Sequence, residues 1–195
     1  MWDVIKLIKK QQTKDNLISV FMGSLDERVD RYLDISHQWI IGGHYFAKAS
    51  SECIELYRDS YFIAALMLSH AINEAIIKFV VERNPLIKRE DEAGKTKSIE
   101  LMINELEENK IISKECADVS RRIWGNHRND VHHLNSSIAA IDFAARAREN
   151  LLRLAVIEKE IFEVDRTGDG KIRPHKPQYW DLNKDGTVNV FIRLE

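Results

Sequence analysis

Residues 61–85 read YFIAALMLSHAINEAIIKFVVERNP. Ile63, Leu66, Met67, Ala71, Ala75, Ile76 and Phe79 recur at the three- and four-residue spacing of one helical face. Asp59 or Ser60 is placed to cap the start. Asn84-Pro85 ends the run, because a residue before proline avoids the α region. The reading is a core helix over about 61–83. Its most apolar part, near Tyr61–Leu68, is too short to span a bilayer, so no membrane partner is expected.

Working outward, residues 45–58 form a first main helix, and a polar, charged loop covers about 88–96. Ile99, Met102, Ile103 and Leu106 mark a third helix. Ser113 caps a fourth, with Cys116, Val119 and Ile123 on one face, and Gly125-Asn126 stops or bends it. Ser136 or Ser137 is expected to cap a long last helix to about Phe162, its stripe being Leu134, Ile138, Ile141, Ala145, Leu152 and Ala155. No proline falls between Leu86 and Arg173 to forbid these helices. Helices joined by short connections make an up-and-down bundle. Before it, Gly23-Ser24 reads as a stop and a new N-cap with Glu27 as its capping-box partner, and Gly42-Gly43 breaks the following helix. After Val164 the composition changes. VDRTGDGKI (164–172) and WDLNKDGTV (180–188) repeat at a spacing of 16 residues, and Asp-Gly between β-prone residues signals hairpins. The expected fold class is therefore all-α: a four- to five-helix bundle over 45–163, a helical N-terminal extension over 1–44, and a small β-hairpin tail over 164–195.

The 195 residues are 44% hydrophobic and 31% charged, with a formal net charge of -2. This is an ordinary globular balance that excludes wholesale disorder and a strongly basic nucleic-acid coat. Two cysteines, Cys53 and Cys116, lie in apolar helical contexts without a Cys-x-x-Cys pair. Reduced thiols and a cytoplasmic location are the expectation. The N-terminal MWDVIKLIKKQQ lacks the uninterrupted apolar core of a signal peptide. No glycine-rich phosphate loop, Gly-x-Ser-x-Gly elbow or dinucleotide fingerprint occurs, and no cofactor is expected.

The chemistry concentrates in GNHRNDVHH, residues 125–133. Three of the seven histidines of the chain fall here, with Arg128, Asn129 and Asp130. Asn129 and His133 are four apart and share a helical face. An imidazole moves protons near neutral pH, and a guanidinium holds a phosphate in two bonds and stabilises charge developing on it. Together they suffice to cleave RNA without a metal: one group activates the ribose 2′-hydroxyl, another protonates the leaving oxygen, and the arginine holds the phosphorane-like state. The spacing is common, since Arg31/His37, Arg121/His127 and Arg122/His127 also fit it. Helix capping by Asn129 or Asp130, with the histidines as plain surface groups, explains the same residues. Adjacent His132 and His133 diverge on a helix and make a poor metal site.

The setting of this cluster resembles the HEPN superfamily, the helical domains named for higher eukaryote and prokaryote nucleotide binding. AKASSECIELYRDSYFIAALMLSHAINEAIIKFV is similar to its opening helix pair. SIELMINELEENKIISKECADVSRRIWGNHRNDVHH is similar to the middle helices that run into its Arg-Asn-x-x-x-His signature. IAAIDFAARARENLLRLAVIEKEIF is similar to its closing helix. The resemblance spans about 115 residues and implies a bundle that dimerises with two signatures facing a shared cleft. It also implies a metal-independent endoribonuclease of toxin–antitoxin or other defence systems, with a cognate antitoxin or other protein partner, or else a non-catalytic RNA- or protein-binding module. Carried over by position, Arg128 and His133 are the signature pair, Asn129 the polar residue after the arginine, and Glu74 the acidic position of the second helix. Asp130 and His132 lie in the variable part. The N-terminal extension and the repeated tail depart from the family. RNA contact must be local in an acidic chain, and Arg121, Arg122 and Arg146 on the flanking helices are candidates for it; Arg148 and Arg153 extend the same faces.

The tail offers a rival. Asp165-x-Thr167-x-Asp169-Gly170 and Asp181-x-Asn183-x-Asp185-Gly186 resemble the first half of a calcium loop. The twelfth position, which should be acidic, is Lys176 or Ile192, and hairpin turns account for the same residues. Asp181, Asn183 and Asp185 are the weaker calcium candidates. Trp180, Tyr179 and Phe191 are placed to dock the tail or meet a partner.

Overall fold

The computed structural model describes residues 2–168, 171–185 and 187–193. It is mostly helical, with small antiparallel strand pairs, and divides into two compact units at Asp34 and Ile35. The first unit holds α1 (Trp2–Gly23) and α2 (Leu25–Leu33). Ser24 separates them without capping α2: its hydroxyl donates back to the carbonyls of Val20 (3.1 Å) and Phe21 (3.2 Å). The expected capping box with Glu27 is therefore not formed.

The second unit begins earlier than the expected boundary at 44/45. Residues 40–42 are not helical; Ile40–Gly42 is a strand, β1, paired antiparallel with the far end of the tail. The register sets Ile40 opposite Ile192 and Gly42 opposite Val190. Gly42 is required there, because a Cβ would collide with the His44 ring.

The bundle follows as α3 (Ala47–Arg58), α4 (Phe62–Glu82), α5 (Ile99–Glu108), α6 (Lys114–Gly125), the short α7 (Arg128–His133) and α8 (Phe143–Phe162). α4 lies at its centre, packed by α3, α5, α6, α7 and α8. Ile72, Ile76, Met102, Ile103, Leu106, Ile123 and Ile157 are fully buried between them. α4 is long and apolar enough to cross a membrane, but 56% of the relevant window is buried inside the fold, as the central helix of a bundle requires.

The caps decide the boundaries. The Ser113 hydroxyl accepts from the Cys116 amide at 3.1 Å and starts α6 as expected. Ser136 and Ser137 do not start the last helix. They lie in a 3₁₀ turn, and α8 begins after Asp142, whose carboxylate accepts from the Ala145 amide at 3.0 Å. α4 has no side-chain cap; Ser60 instead takes the left-handed conformation at φ 66°.

In the tail, β2 (Val164–Arg166) and β3 (Ile172–Pro174) form the first expected hairpin, around a turn whose Asp169 and Gly170 lie outside the described residues. The second repeat closes through a single Leu182–Val188 bridge. Its strand β4 (Val190–Ile192) pairs with β1 instead of a neighbour. Tyr179 and Trp180 are buried and dock the tail against Phe79 and Phe162. His44 joins this aromatic cluster, donating from Nε2 to the Tyr179 carbonyl at 2.8 Å, and burial holds its pKa below the ordinary histidine value. The strongest tie is ionic. Arg193 donates to both Glu158 oxygens, at 2.7 and 2.8 Å, in a site that leaves the two side chains 2% and 3% exposed.

Candidate functional site

α6 ends at Gly125, and the Asn126 amide that follows donates to the Ile123 carbonyl. His127 then adopts the left-handed conformation at φ 55°, and Leu134, after α7, adopts it at φ 50°. Left-handed backbone disfavours a bulky residue. α7 is thus a single short excursion, bounded at both ends by residues held in an unfavourable conformation by their surroundings.

A buried polar seam holds the chain at Asn126, next to the first of them. Asn126 Nδ2 donates to Asn150 Oδ1 at 2.9 Å, and Asn150 Nδ2 donates to Ser69 Oγ at 2.9 Å. Beside them Ser120 Oγ donates to Asn73 Oδ1 at 2.7 Å, and Asn73 Nδ2 donates to the Ser120 carbonyl at 3.1 Å. Ser69, Asn73, Ser120 and Asn150 are fully buried. Paired in this way they avoid the cost of orphaned buried polar groups and fix α4, α6 and α8 around the turn.

His70 of α4 sits under α7, 1% exposed. Its Nε2 lies 3.1 Å from the Asn126 carbonyl, so that nitrogen carries the hydrogen and Nδ1 holds a lone pair. Among the described residues Nδ1 has no partner. Burial, and the adjacent His132, push the His70 pKa down to about 4 against the pull of the Asn126 bond. The imidazole is neutral at pH 7. Its ring centre lies 5.6 Å from that of His132.

Arg128 opens α7. Its guanidinium rests over the Trp124 ring, 4.1 Å from the centre, and Nη2 lies 3.8 Å from Glu74 Oε2. Glu74 Oε1 accepts from Lys78 at 2.5 Å. The arginine is about one-third exposed and held from two sides, so an incoming phosphate meets a placed cation. His127 faces Asp130 at 3.5 Å. Bonds from Asn135 and Ser137 hold the Asp130 carboxyl below its ordinary range, so Asp130 is an anion that secures the loop after α7. Residues 124–130 line an open groove of about 510 Å³.

The helical geometry of α7 sorts the candidates. Four residues bring a side chain back to nearly the same face and five do not. Arg128 and His132 share one side with His70 and Glu74, while Asn129 and His133 share another and are exposed. Among the described residues His133 has no hydrogen-bond or ion-pair partner. The structure therefore brings Arg128, His132 and Glu74 together and leaves His133 and Asn129 facing outward from a single chain. His70 and the polar seam were not among the expected site residues. Their signal was Ser69, His70 and Asn73 interrupting the apolar face of the most apolar helix.

No family model, curated protein or solved structure matches the chain. The site stands on its own geometry.

Of the flanking arginines, Arg121 pairs with Glu107 and donates to Asn104 (2.8 Å) and Asp118 (3.1 Å), so it serves the α5–α6 contact. Arg146 pairs with Glu149 at 2.9 Å. Arg122 is exposed at the end of α6. In the tail, Asp181 is taken up by Arg83 and His44. Asn183 donates to Thr187 Oγ1 at 2.8 Å, and Asp185 accepts the Thr187 amide at 3.0 Å. These bonds tie the described side chains of the second repeat to one another. Among the described residues no group of three or more His, Cys, Asp or Glu is gathered for a metal.

Proposed function

We propose that the chain is a metal-independent endoribonuclease of the HEPN kind, cytoplasmic, acting in a toxin or phage-defence setting and held in check by an antitoxin or other protein partner. The reading includes an up-and-down course of its four or five main helices. The observation that carries it is the placed Arg128: stacked on Trp124, steadied by Glu74, and opening a short helix that ends in two exposed imidazoles. Arg128 holds the scissile phosphate and stabilises its developing charge. His133 carries the proton transfer, with His132 beside Arg128 as its supporting partner and Asn129 as a hydrogen-bonding contact to the RNA. Since Arg128 and His133 diverge on one α7, a homodimer with two α7 helices facing one cleft completes the centre.

The chemistry is balanced without a cofactor. The ribose O2′ attacks phosphorus as its proton leaves to an imidazole. The P–O5′ bond breaks, and O5′ takes a proton from a second imidazole. The products are a 2′,3′-cyclic phosphate and a 5′-hydroxyl. A DNA oligonucleotide carrying one internal ribonucleotide, incubated with the protein in EDTA, tests this. Cleavage only after the ribonucleotide, leaving a cyclic phosphate, is expected. Cleavage of the all-DNA strand, or a requirement for a divalent ion, overturns the reading. Tight RNA or protein binding without any cleavage assigns the fold to a non-catalytic module.

A further inference from the structure

We infer that α1 is a self-association surface of the protein, separate from the proposed α7 cleft, pairing antiparallel with α1 of a second copy. Nine large apolar side chains of α1 are 47–72% exposed. Within the first unit α2 leaves these side chains about half exposed or more, so the helix lacks the packed apolar face that normally stabilises one of its length, and an exposed patch of this kind marks an interaction surface.

The sequence of α1 names the occupant. Val4, Ile8, Gln11, Asp15, Ile18 and Met22 succeed one another at intervals of four, three, four, three and four residues. That 3.5-residue repeat is the seam of a two-stranded coiled coil. The series is also a palindrome of character. About a two-fold axis level with residue 13, Ile8 meets Ile18 of the other copy, Val4 meets Met22, and Gln11 meets Asp15. An isologous contact requires such self-complementarity. Within one chain Gln11 Nε2 already donates to Asp15 Oδ1 at 2.8 Å, so the same two groups close a polar layer at the centre and fix the register.

Charge selects the direction. A parallel pair would set Asp15 against Asp15 and run Lys6, Lys9, Lys10 and Lys14 beside their own copies. The antiparallel pair sets Lys6–Lys10 against residues 16–20, and residues 16–24 contain no charged side chain. The contact is independent of the ribonuclease reading, since it uses no residue of the α7 groove.

Light scattering of the full-length protein, with Ile18→Glu as comparison, gives the first test. A smaller assembly for the variant than for the wild type, with unchanged thermal unfolding of the second unit, is expected. Mixing Ile8→Cys with Ile18→Cys protein under oxidation gives the second. The native Cys53 and Cys116 are buried and do not compete. An 8–18 cross-link in excess of 8–8 is expected. A wild-type monomer at about 100 μM, or predominance of the 8–8 product, overturns the proposal. So does a monomer whose α1 instead binds anionic vesicles. RNA cleavage is scored separately, so loss of pairing and loss of activity remain distinguishable.

Discussion

The Arg128 guanidinium lies over the Trp124 ring, 4.1 Å from its centre, across the short junction between α6 and α7. The contact orients the cation before any ligand arrives. A cation–π contact of this exposure contributes about 1 kcal/mol. Trp124→Ala is therefore expected to weaken RNA affinity about fivefold, measured by fluorescence anisotropy, while Arg128→Ala weakens it further and lowers the salt dependence of binding by about one phosphate contact. Equal affinities for wild type and Arg128→Ala would show that the groove does not hold phosphate.

Acid should loosen the α4–α7 contact. The His70 pKa lies at about 4 in the fold against 6.5 for the free side chain. Between these values the unfolded chain binds more protons, so stability is present above pH 6.5 and is lost as pH falls toward 4. The displacement corresponds to about 3 kcal/mol at most. In His70→Gln, which keeps a donor for the Asn126 carbonyl, the fall in Tm between pH 6.5 and 4.5 is expected to flatten. A parallel fall in both proteins would assign the acid sensitivity elsewhere.

The opposite sign applies in the tail. His175 lies 2.9 Å from Asp165 and 3.1 Å from Glu163, and the Asp165 bond leads the effects that raise its pKa above the ordinary histidine value. Its contribution is full below pH 6.5 and is lost as pH rises through the raised value. Amide exchange in β2 and β3 is expected to quicken over that interval, beyond the intrinsic base catalysis seen in His175→Ala. Identical pH profiles would leave the imidazole without a role in the hairpin.

Arg193→Ala should be the costliest single change outside the bundle core. It strands the buried Glu158 carboxylate, a loss of about 3–5 kcal/mol. Urea unfolding measures it. Glu158→Gln combined with Arg193→Met is expected to cost less than Arg193→Ala alone, because the pair removes both desolvated charges. A cost of Arg193→Ala below about 1 kcal/mol would mean that the carboxylate escapes to water.

Local pattern was enough to read the bundle. The apolar spacing of α4, the Asn84-Pro85 stop and the Ser113 cap correspond to α4 and α6 as observed. The start of α8 was not legible, because Ser136, Ser137 and Asp142 are all good cap residues and only the left-handed turn at Leu134 and the 3₁₀ segment decide among them. The β1–β4 pair joins residues about 150 positions apart, a relationship that no local window carries. At the site, the residue types at 128–133 were visible, but the side they face was not. That depends on where α7 begins, which the His127 conformation sets. The polar seam of Ser69, Asn73, Ser120 and Asn150 was visible only as polar letters on apolar faces, since a buried hydrogen-bond network requires three helices to be placed first.

The most direct test of the central claim is RNA cleavage in EDTA by wild type, Arg128→Ala, His132→Ala and His133→Ala, each shown to be folded and of one oligomeric state. Removing a group that stabilises a developing charge costs about 100-fold or more. The account predicts that loss for Arg128→Ala and His133→Ala, with a smaller one for His132→Ala. Cleavage at the wild-type rate by Arg128→Ala and His133→Ala, or none by any of the four, would contradict it.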